Sequence, residues 1–246
     1  MSDTAAVISA YGEARRIGAT VDAARTLDGV DLVVVVDDGS RDEGGTARIA
    51  KEHGAIVVRH PRNRGKGAAM ESGAAAVAAI EAHAGRAQPR FLLFLDADLE
   101  GSAAAAEPLI EPIRNAQAGM TVAVLPPQDT AGGGHGFVVR LARDGIRRAV
   151  GFEATQPLSG QRCLTRETFE AVLPLAYGFG VETGLTIDVV RAGIRVLEVE
   201  ADFHHRVTGT DLAAQLHRGR QYRDVALALA SRSVPANLRP STWRGR

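Results

Sequence analysis

Three short stretches carry residue types that could do chemistry together. Residues 91–101, FLLFLDADLEG, run an apolar segment into Asp96, Ala97 and Asp98, so two carboxylates leave a strand end close together. Hard divalent cations take oxygen ligands, and Mg²⁺ or Mn²⁺ commonly sits between one or two carboxylates and a phosphate group. Residues 33–42, VVVVDDGSRD, place Asp37 and Asp38 at a second such end, with Gly39 free to turn the chain. A carboxylate there can accept hydrogen bonds from a ribose or a base. Residues 62–70, RNRGKGAAM, set Arg62, Arg64 and Lys66 among glycines before an Ala-rich segment. Backbone N–H groups at a helix start, with a lysine beside them, attract anions. The spacing is not that of a phosphate-binding P-loop. Each stretch alone has a plainer account: an aspartate capping a turn, a Ser-capped helix, a solvated basic loop. Together they describe a place for a metal and a diphosphate, provided the fold brings them to one edge.

The elements needed for that are readable in the hydrophobic pattern. Residues 5–9, 32–37, 55–59 and 91–96 read as strands, the second and fourth too continuously apolar to be half-exposed. Helices are predicted over 13–26, 41–53 and 67–83, the second from the capping-box pair Ser40 and Glu43. Strands alternating with helices imply parallel pairing and right-handed crossovers. In such sheets ligands bind beyond the carboxyl ends of the strands, where Asp37, Asp38, Asp96 and Asp98 fall. The second half is less regular. It reads as a helix (104–116), a strand (121–125), a Gly-rich loop (132–134), a helix (138–150) and a strand (161–164). A helix from Thr165, another over 181–192, a strand over 195–200 and a last helix over 211–231 follow. Cys163 is expected to pack as a small apolar residue.

Composition bounds the function classes. With 29 basic and 29 acidic residues the charges cancel, which excludes bulk attraction to nucleic acid or anionic lipid. Aromatics are 4%, too few for a base-stacking platform. One cysteine makes neither an internal disulfide nor a Cys-based zinc site, and it fits a reducing compartment. No targeting segment is evident and the apolar runs fall far short of the ~20 residues a membrane span needs, so a cytoplasmic protein is expected.

In order and spacing, VISAYGEA (7–14), DDGSRD (37–42), NRGKGAA (63–69) and DADLE (96–100) resemble family 2-type glycosyltransferases with the GT-A fold. Gly12 stands where that family usually has Asn, while Glu13 is kept. PLSGQRCLTRETF (157–169), GFGVETGLTIDVVRAG (178–193) and FHHR (203–206) look like the second half of glucosyl-3-phosphoglycerate synthases. The resemblance covers residues 5–232. It implies an α/β GT-A domain over 1–232, with a Rossmann-like open, mixed, mainly parallel sheet and helices on both faces. Residues 1–126 would be its nucleotide-sugar half, 127–232 its acceptor-side half, and 233–246 a flexible tail.

Residue by residue, the resemblance implies that Ser9, Ala10, Tyr11 and Glu13 line the base pocket, with Asp38 nearby. Lys66, Asp96 and Ala97 would contact the nucleotide sugar, and Leu158 and Glu182 would face its hexose. Asp98 and His205 would hold Mg²⁺ or Mn²⁺, which neutralises charge building on the leaving diphosphate. Retention of configuration is implied; an inverting enzyme would need a base, for which Glu182 is the first candidate. The acceptor side draws on Gly134, His135 and Gly160. There GGGHGFVVR (132–140) departs from the family's phosphate-gripping segment, and Phe137 points to a larger or more apolar acceptor. The expected activity is transfer of a hexose, glucose first, from a UDP- or GDP-sugar to a small acceptor, phosphorylated or not. The alternatives are a polyprenyl-phosphate sugar transferase and a non-catalytic nucleotide-sugar-binding protein. A homodimer is the expected assembly for enzymes of this type.

Overall fold

The computed structural model describes residues 3–126, 135–203 and 212–233. Its sheet has seven strands: β1 (Thr4–Ala10), β2 (Val30–Asp37), β3 (Ile56–Arg59), β4 (Phe91–Asp96), β5 (Met120–Val124), β6 (Arg162–Leu164) and β7 (Val196–Glu200). They are ordered β3-β2-β1-β4-β6-β5-β7. Every pairing is parallel except those of β6, which runs against β4 on one side and β5 on the other. The order turns outward in both directions from β1 and β4, the place where an open α/β sheet leaves a crevice. The register sets Ser9 beside Asp96 and Ala10 beside Asp37, so the chemistry-bearing strand ends share one edge.

Helices cover both faces, because each face of the sheet is apolar. On one side α1 (Ile17–Arg25), α2 (Gly45–Glu52) and α4 (Glu107–Arg114) pack over a core that includes Ile8, Val35, Leu93 and Leu109. On the other, α3 (Lys66–His83), α6 (Arg166–Ala171) and α7 (Val181–Arg191) close over Val7, Val34, Phe94 and Leu185. Each such buried side chain contributes roughly 1.5–3 kcal/mol relative to exposure. α3 approaches closely enough that a methyl on Gly73 would overlap the Val7 side chain. Two further helices, α5 (His135–Val150) and α8 (Leu212–Ser233), join over a smaller core of Val138, Ala142 and Val225.

Four helix starts differ from the sequence expectation, α5 by beginning at His135 rather than at 138. α2 does not begin under a Ser40–Glu43 capping box: Glu43 and Gly44 have φ of 55° and 82°, which no helix continues. Asp42 does the capping instead, its carboxylate accepting from Thr46 N–H at 2.9 Å and from the Thr46 hydroxyl at 2.5 Å. The Ser40 hydroxyl accepts from Gly12 N–H at 2.8 Å. α1 begins at Ile17 rather than near Glu13, because the Thr46 hydroxyl accepts from Glu13 N–H at 2.9 Å and holds Glu13 in a turn. The segment expected as helix from 104 is a 3₁₀ stretch, Glu100–Ala106, and α4 starts only at Glu107, where Pro108 fits the first turn.

Candidate active site

A cleft of about 390 Å³ opens at the carboxyl ends of β1 and β4, walled by α5, α7 and α8. Nine residues singled out in the sequence line it: Ser9, Tyr11, Glu13, Lys66, Asp96, Ala97, Asp98, Leu158 and Glu182. At its floor, Lys66, the first residue of α3, reaches Asp96 at 2.5 Å and Glu182 at 2.9 Å. Burial counts against the ammonium, but the two carboxylates outweigh it and the Lys66 pKa is raised. Gln161 donates to the other Asp96 oxygen at 2.7 Å. Gly160 lies against the pair so closely that a Cβ there would come within 2.6 Å of Asp96 Oδ2. Gly160 therefore supports the floor of the cleft.

Asp98 is different. It is half-buried on the cleft wall and, among the described residues, its carboxylate has no hydrogen-bond partner. Arg16 acts on it only through space, and a carboxylate with no hydrogen bond of its own beside such a cleft fits a hard cation that also binds phosphate oxygens. Among the described residues no group of three or more His, Cys, Asp and Glu side chains surrounds a common point. Asp98 is thus one ligand from the chain, with the rest to come from substrate or from elsewhere. His205, its expected co-ligand, lies outside the described residues, as does Gly134; His135 opens α5, and its side chain is not among those described.

Ala10, expected in the base pocket, and Asp38, expected near it, do not line this cleft. Asp38 is 4% exposed, and its carboxylate accepts from Arg64 N–H and Gly65 N–H, each at 2.8 Å. It also meets His60 Nδ1 at 2.6 Å, and His60 Nε2 meets the Ser72 hydroxyl at 2.9 Å. With three hydrogen bonds to its carboxylate, Asp38 moulds the basic loop that delivers Lys66. Ala10 is buried and contributes its carbonyl, which accepts from Asp38 N–H at 2.8 Å. Asp37 is fully buried, accepting from Ser40 N–H and paired with Arg59 at 3.2 Å.

Four lining residues were not singled out in the sequence: Val138 on α5, Phe179 in the 3₁₀ turn Gly178–Gly180, and Gln221 and Val225 on α8. With Leu158 they supply most of the apolar lining of the cleft. The one available signal was the i, i+4 spacing of Gln221 and Val225, which places them on one helix face. Just outside the wall, Phe137 is 71% exposed, with the Arg140 guanidinium 4.8 Å from its ring centre.

Among known proteins the chain is 31% identical over 211 residues to glycosyltransferase AglJ of Haloferax volcanii, covering 82% of this chain and 63% of that one. It therefore spans less than two thirds of that relative's length. Among solved structures it is similar to glucosyl-3-phosphoglycerate synthase from Mycobacterium tuberculosis in complex with Mg²⁺ and uridine diphosphate. That match has a TM-score of 0.73 and 28% identity over 95% of this chain and 80% of that one. The same enzyme in complex with Mn²⁺, uridine-diphosphate-glucose and phosphoglyceric acid matches at a TM-score of 0.70 and 26% identity, covering 95% and 81%. The shared architecture is the GT-A fold, with its mainly parallel sheet. Residues 5–134, more than half of the chain, match the family described as glycosyl transferase family 2. The chain belongs to that family.

Proposed function

We propose that this protein transfers a hexose, with UDP-glucose the first donor to consider, from a nucleotide-diphospho-sugar to a small acceptor, assisted by Mg²⁺ or Mn²⁺. The observation that carries this reading is the charge of the cleft. Among the described residues four carboxylates line it, those of Glu13, Asp96, Asp98 and Glu182; Lys66 is shared by Asp96 and Glu182, and Arg16 pairs with Glu13 at 2.8 Å. A diphosphate entering such a cleft is repelled unless a cation comes with it. Asp98, which among the described residues has neither a hydrogen bond nor an ion pair, would hold that cation together with His205; bound there, the metal would supply charge neutralisation for the leaving diphosphate.

The chain's own groups would then do the positioning. Lys66 would turn from Asp96 toward a phosphate oxygen. Asp96, fixed by Gln161, would accept from sugar hydroxyls, and Leu158 would bound the hexose. Glu182 is held by Lys66 at 2.9 Å, which suits an electrostatic role better than proton abstraction and favours retention of configuration. A calorimetric titration of UDP-glucose and GDP-glucose with Mn²⁺ tests the reading. Saturable binding is expected, weakened about 10- to 100-fold in Asp98→Ala, as losing a charged metal ligand should do. Absence of binding to any nucleotide sugar with either metal would sink the proposal.

The acceptor divides into two readings. The structural neighbour's phosphoglyceric acid makes 3-phosphoglycerate the first acceptor to try. The apolar wall of Val138, Leu158, Phe179 and Val225, with Phe137 exposed beyond it, favours instead a polyprenyl phosphate. Among the described residues no helix is long and apolar enough to cross a membrane, so a lipid acceptor would be reached from the surface. Assays with labelled donor, with 3-phosphoglycerate in buffer and polyprenyl phosphate in detergent, separate the two. Tight donor binding without transfer to either would favour a non-catalytic nucleotide-sugar-binding protein.

A further inference from the structure

We infer that Arg162 is a positioning residue for the cleft, a buried strut that ties the 157–160 loop to the first turn of α7 and so sets both carboxylate partners of Lys66. The inference rests on the reading of the cleft as a nucleotide-sugar site.

Arg162 begins β6, the one reversed strand, and its side chain is 1% exposed. Arginine is almost never buried to that degree without a carboxylate beside it, because removing the charge from water costs several kcal/mol, roughly. Here no carboxylate lies within 4 Å among the described residues. The guanidinium instead meets backbone and hydroxyl oxygens, with the Met120 sulfur 4.0 Å from Nη1. Nε donates to Ser159 C=O at 2.9 Å and Nη1 donates to the Thr186 hydroxyl at 2.9 Å, while Nη2 lies 3.5 Å from Pro157 C=O. The Thr186 hydroxyl in turn donates to Glu182 C=O at 3.0 Å. One fork therefore links a loop to a helix, and each end carries part of the cleft. The loop end presents Leu158 and presses Gly160 against Lys66 and Asp96, and the next residue, Gln161, fixes Asp96. The helix end delivers Glu182 to Lys66.

A purely structural role would be met more cheaply by an apolar side chain of similar volume, since a buried cation is rarely a net stabiliser. Burial pushes the Arg162 pKa down to about 10, with Glu182, Glu198 and Asp96 opposing, so the side chain stays charged at neutral pH at a cost to folding. What the charge and the fork supply is a fixed geometry and a positive field behind a cleft in which four of the five charged lining residues are acidic. A lysine keeps the charge but has no planar fork to span both partners.

The test compares wild type with Arg162→Lys and with Thr186→Val, the latter removing only the far anchor of the strut. Two readouts are used: amide hydrogen exchange of residues 158–161 and 181–183 in the protein alone, and calorimetric titration of UDP-glucose with Mn²⁺. Both variants are expected to accelerate exchange in these two segments about tenfold or more, with the rest of the sheet unchanged, and to weaken donor binding about tenfold or more. Unchanged exchange in either segment overturns the inference, because the strut then pins nothing. Faster exchange with donor affinity as in wild type overturns it too, because the pinning then does not serve the site. If wild type itself binds no donor, the function reading is what fails, and the strut stands or falls on the exchange data alone.

Discussion

Lys66 is gripped from two sides, by Asp96 at 2.5 Å and Glu182 at 2.9 Å, while Gln161 keeps Asp96 turned toward it. A donor diphosphate would have to draw the ammonium partly out of this grip, so small displacements of its neighbours should register as donor affinity. Gly160 offers the cleanest way to impose one. Its backbone is not in the left-handed region, so alanine adds a methyl and little backbone strain. That methyl would meet the ends of two side chains, Lys66 Nζ and Asp96 Oδ2, rather than backbone. Side-chain ends can yield, so the fold should survive while the ion pair moves. We expect Gly160→Ala to melt within a few degrees of wild type, yet to lose about 1–3 kcal/mol of UDP-glucose binding measured by calorimetry with Mn²⁺. Equal binding in the variant would show that the pair's position is not critical.

Among the elements, the strands were readable and several helix starts were not, for physical reasons. Val33–Val36 and Leu92–Leu95 are continuously apolar because both faces of the sheet are covered by helices, and that burial writes itself directly into composition. A helix start depends on which side chain turns back onto the backbone. Ser40 and Glu43 fit a capping box in spacing, but the left-handed turn at Glu43 and Gly44 shifts the start and hands the cap to Asp42. The cleft divides likewise. Asp96, Asp98 and Lys66 sit at ends of elements and were readable; Val138, Phe179 and Val225 belong to the cleft only because α5, a 3₁₀ turn and α8 fold back over it. Arg162 was hidden because an arginine on a short strand reads as solvent-facing. The Asp42 cap has a pH signature. Burial works against its charged form, but the hydrogen bonds from Thr46 outweigh it and hold its pKa below the ordinary value. A carboxylate with a depressed folded pKa adds stability above its unfolded pKa, about 4, and loses it as pH falls through the folded value. Asp42→Ala should therefore cost about 1 kcal/mol at pH 7 in urea unfolding. The gap to wild type should close as the pH is lowered below about 4. A gap independent of pH would assign the loss to packing instead.

For the molecule as a whole, cohesion depends on β6, three residues that join β4 to β5 by antiparallel pairing on both sides. Without it the strands β5 and β7 would have no bond to the sheet that carries Asp96 and Asp98. The chain's only cysteine, Cys163, is the middle residue of this strand, facing Leu93 on one neighbour and Thr121 on the other. It is fully buried, and burial pushes its thiol pKa up, so in the folded state it is neither a thiolate nor reachable. Fraying at the sheet edges does not expose a residue paired on both sides in an interior strand of a seven-stranded sheet. Labelling of Cys163 by a thiol reagent should therefore report opening of the whole sheet. We expect reaction in native buffer to be slower than in denaturant by several orders of magnitude, roughly, and its free energy of opening to match that from urea unfolding. Alkaline pH adds a second check with a definite sign. The unfolded thiol ionises near its ordinary pKa, about 8.5, while the folded one does not, so stability should fall as pH rises through that range. In Cys163→Ala this component of the alkaline loss should vanish. Rapid labelling in native buffer would mean that β6 opens on its own, and the two halves of the sheet would then have to be treated as separately stable.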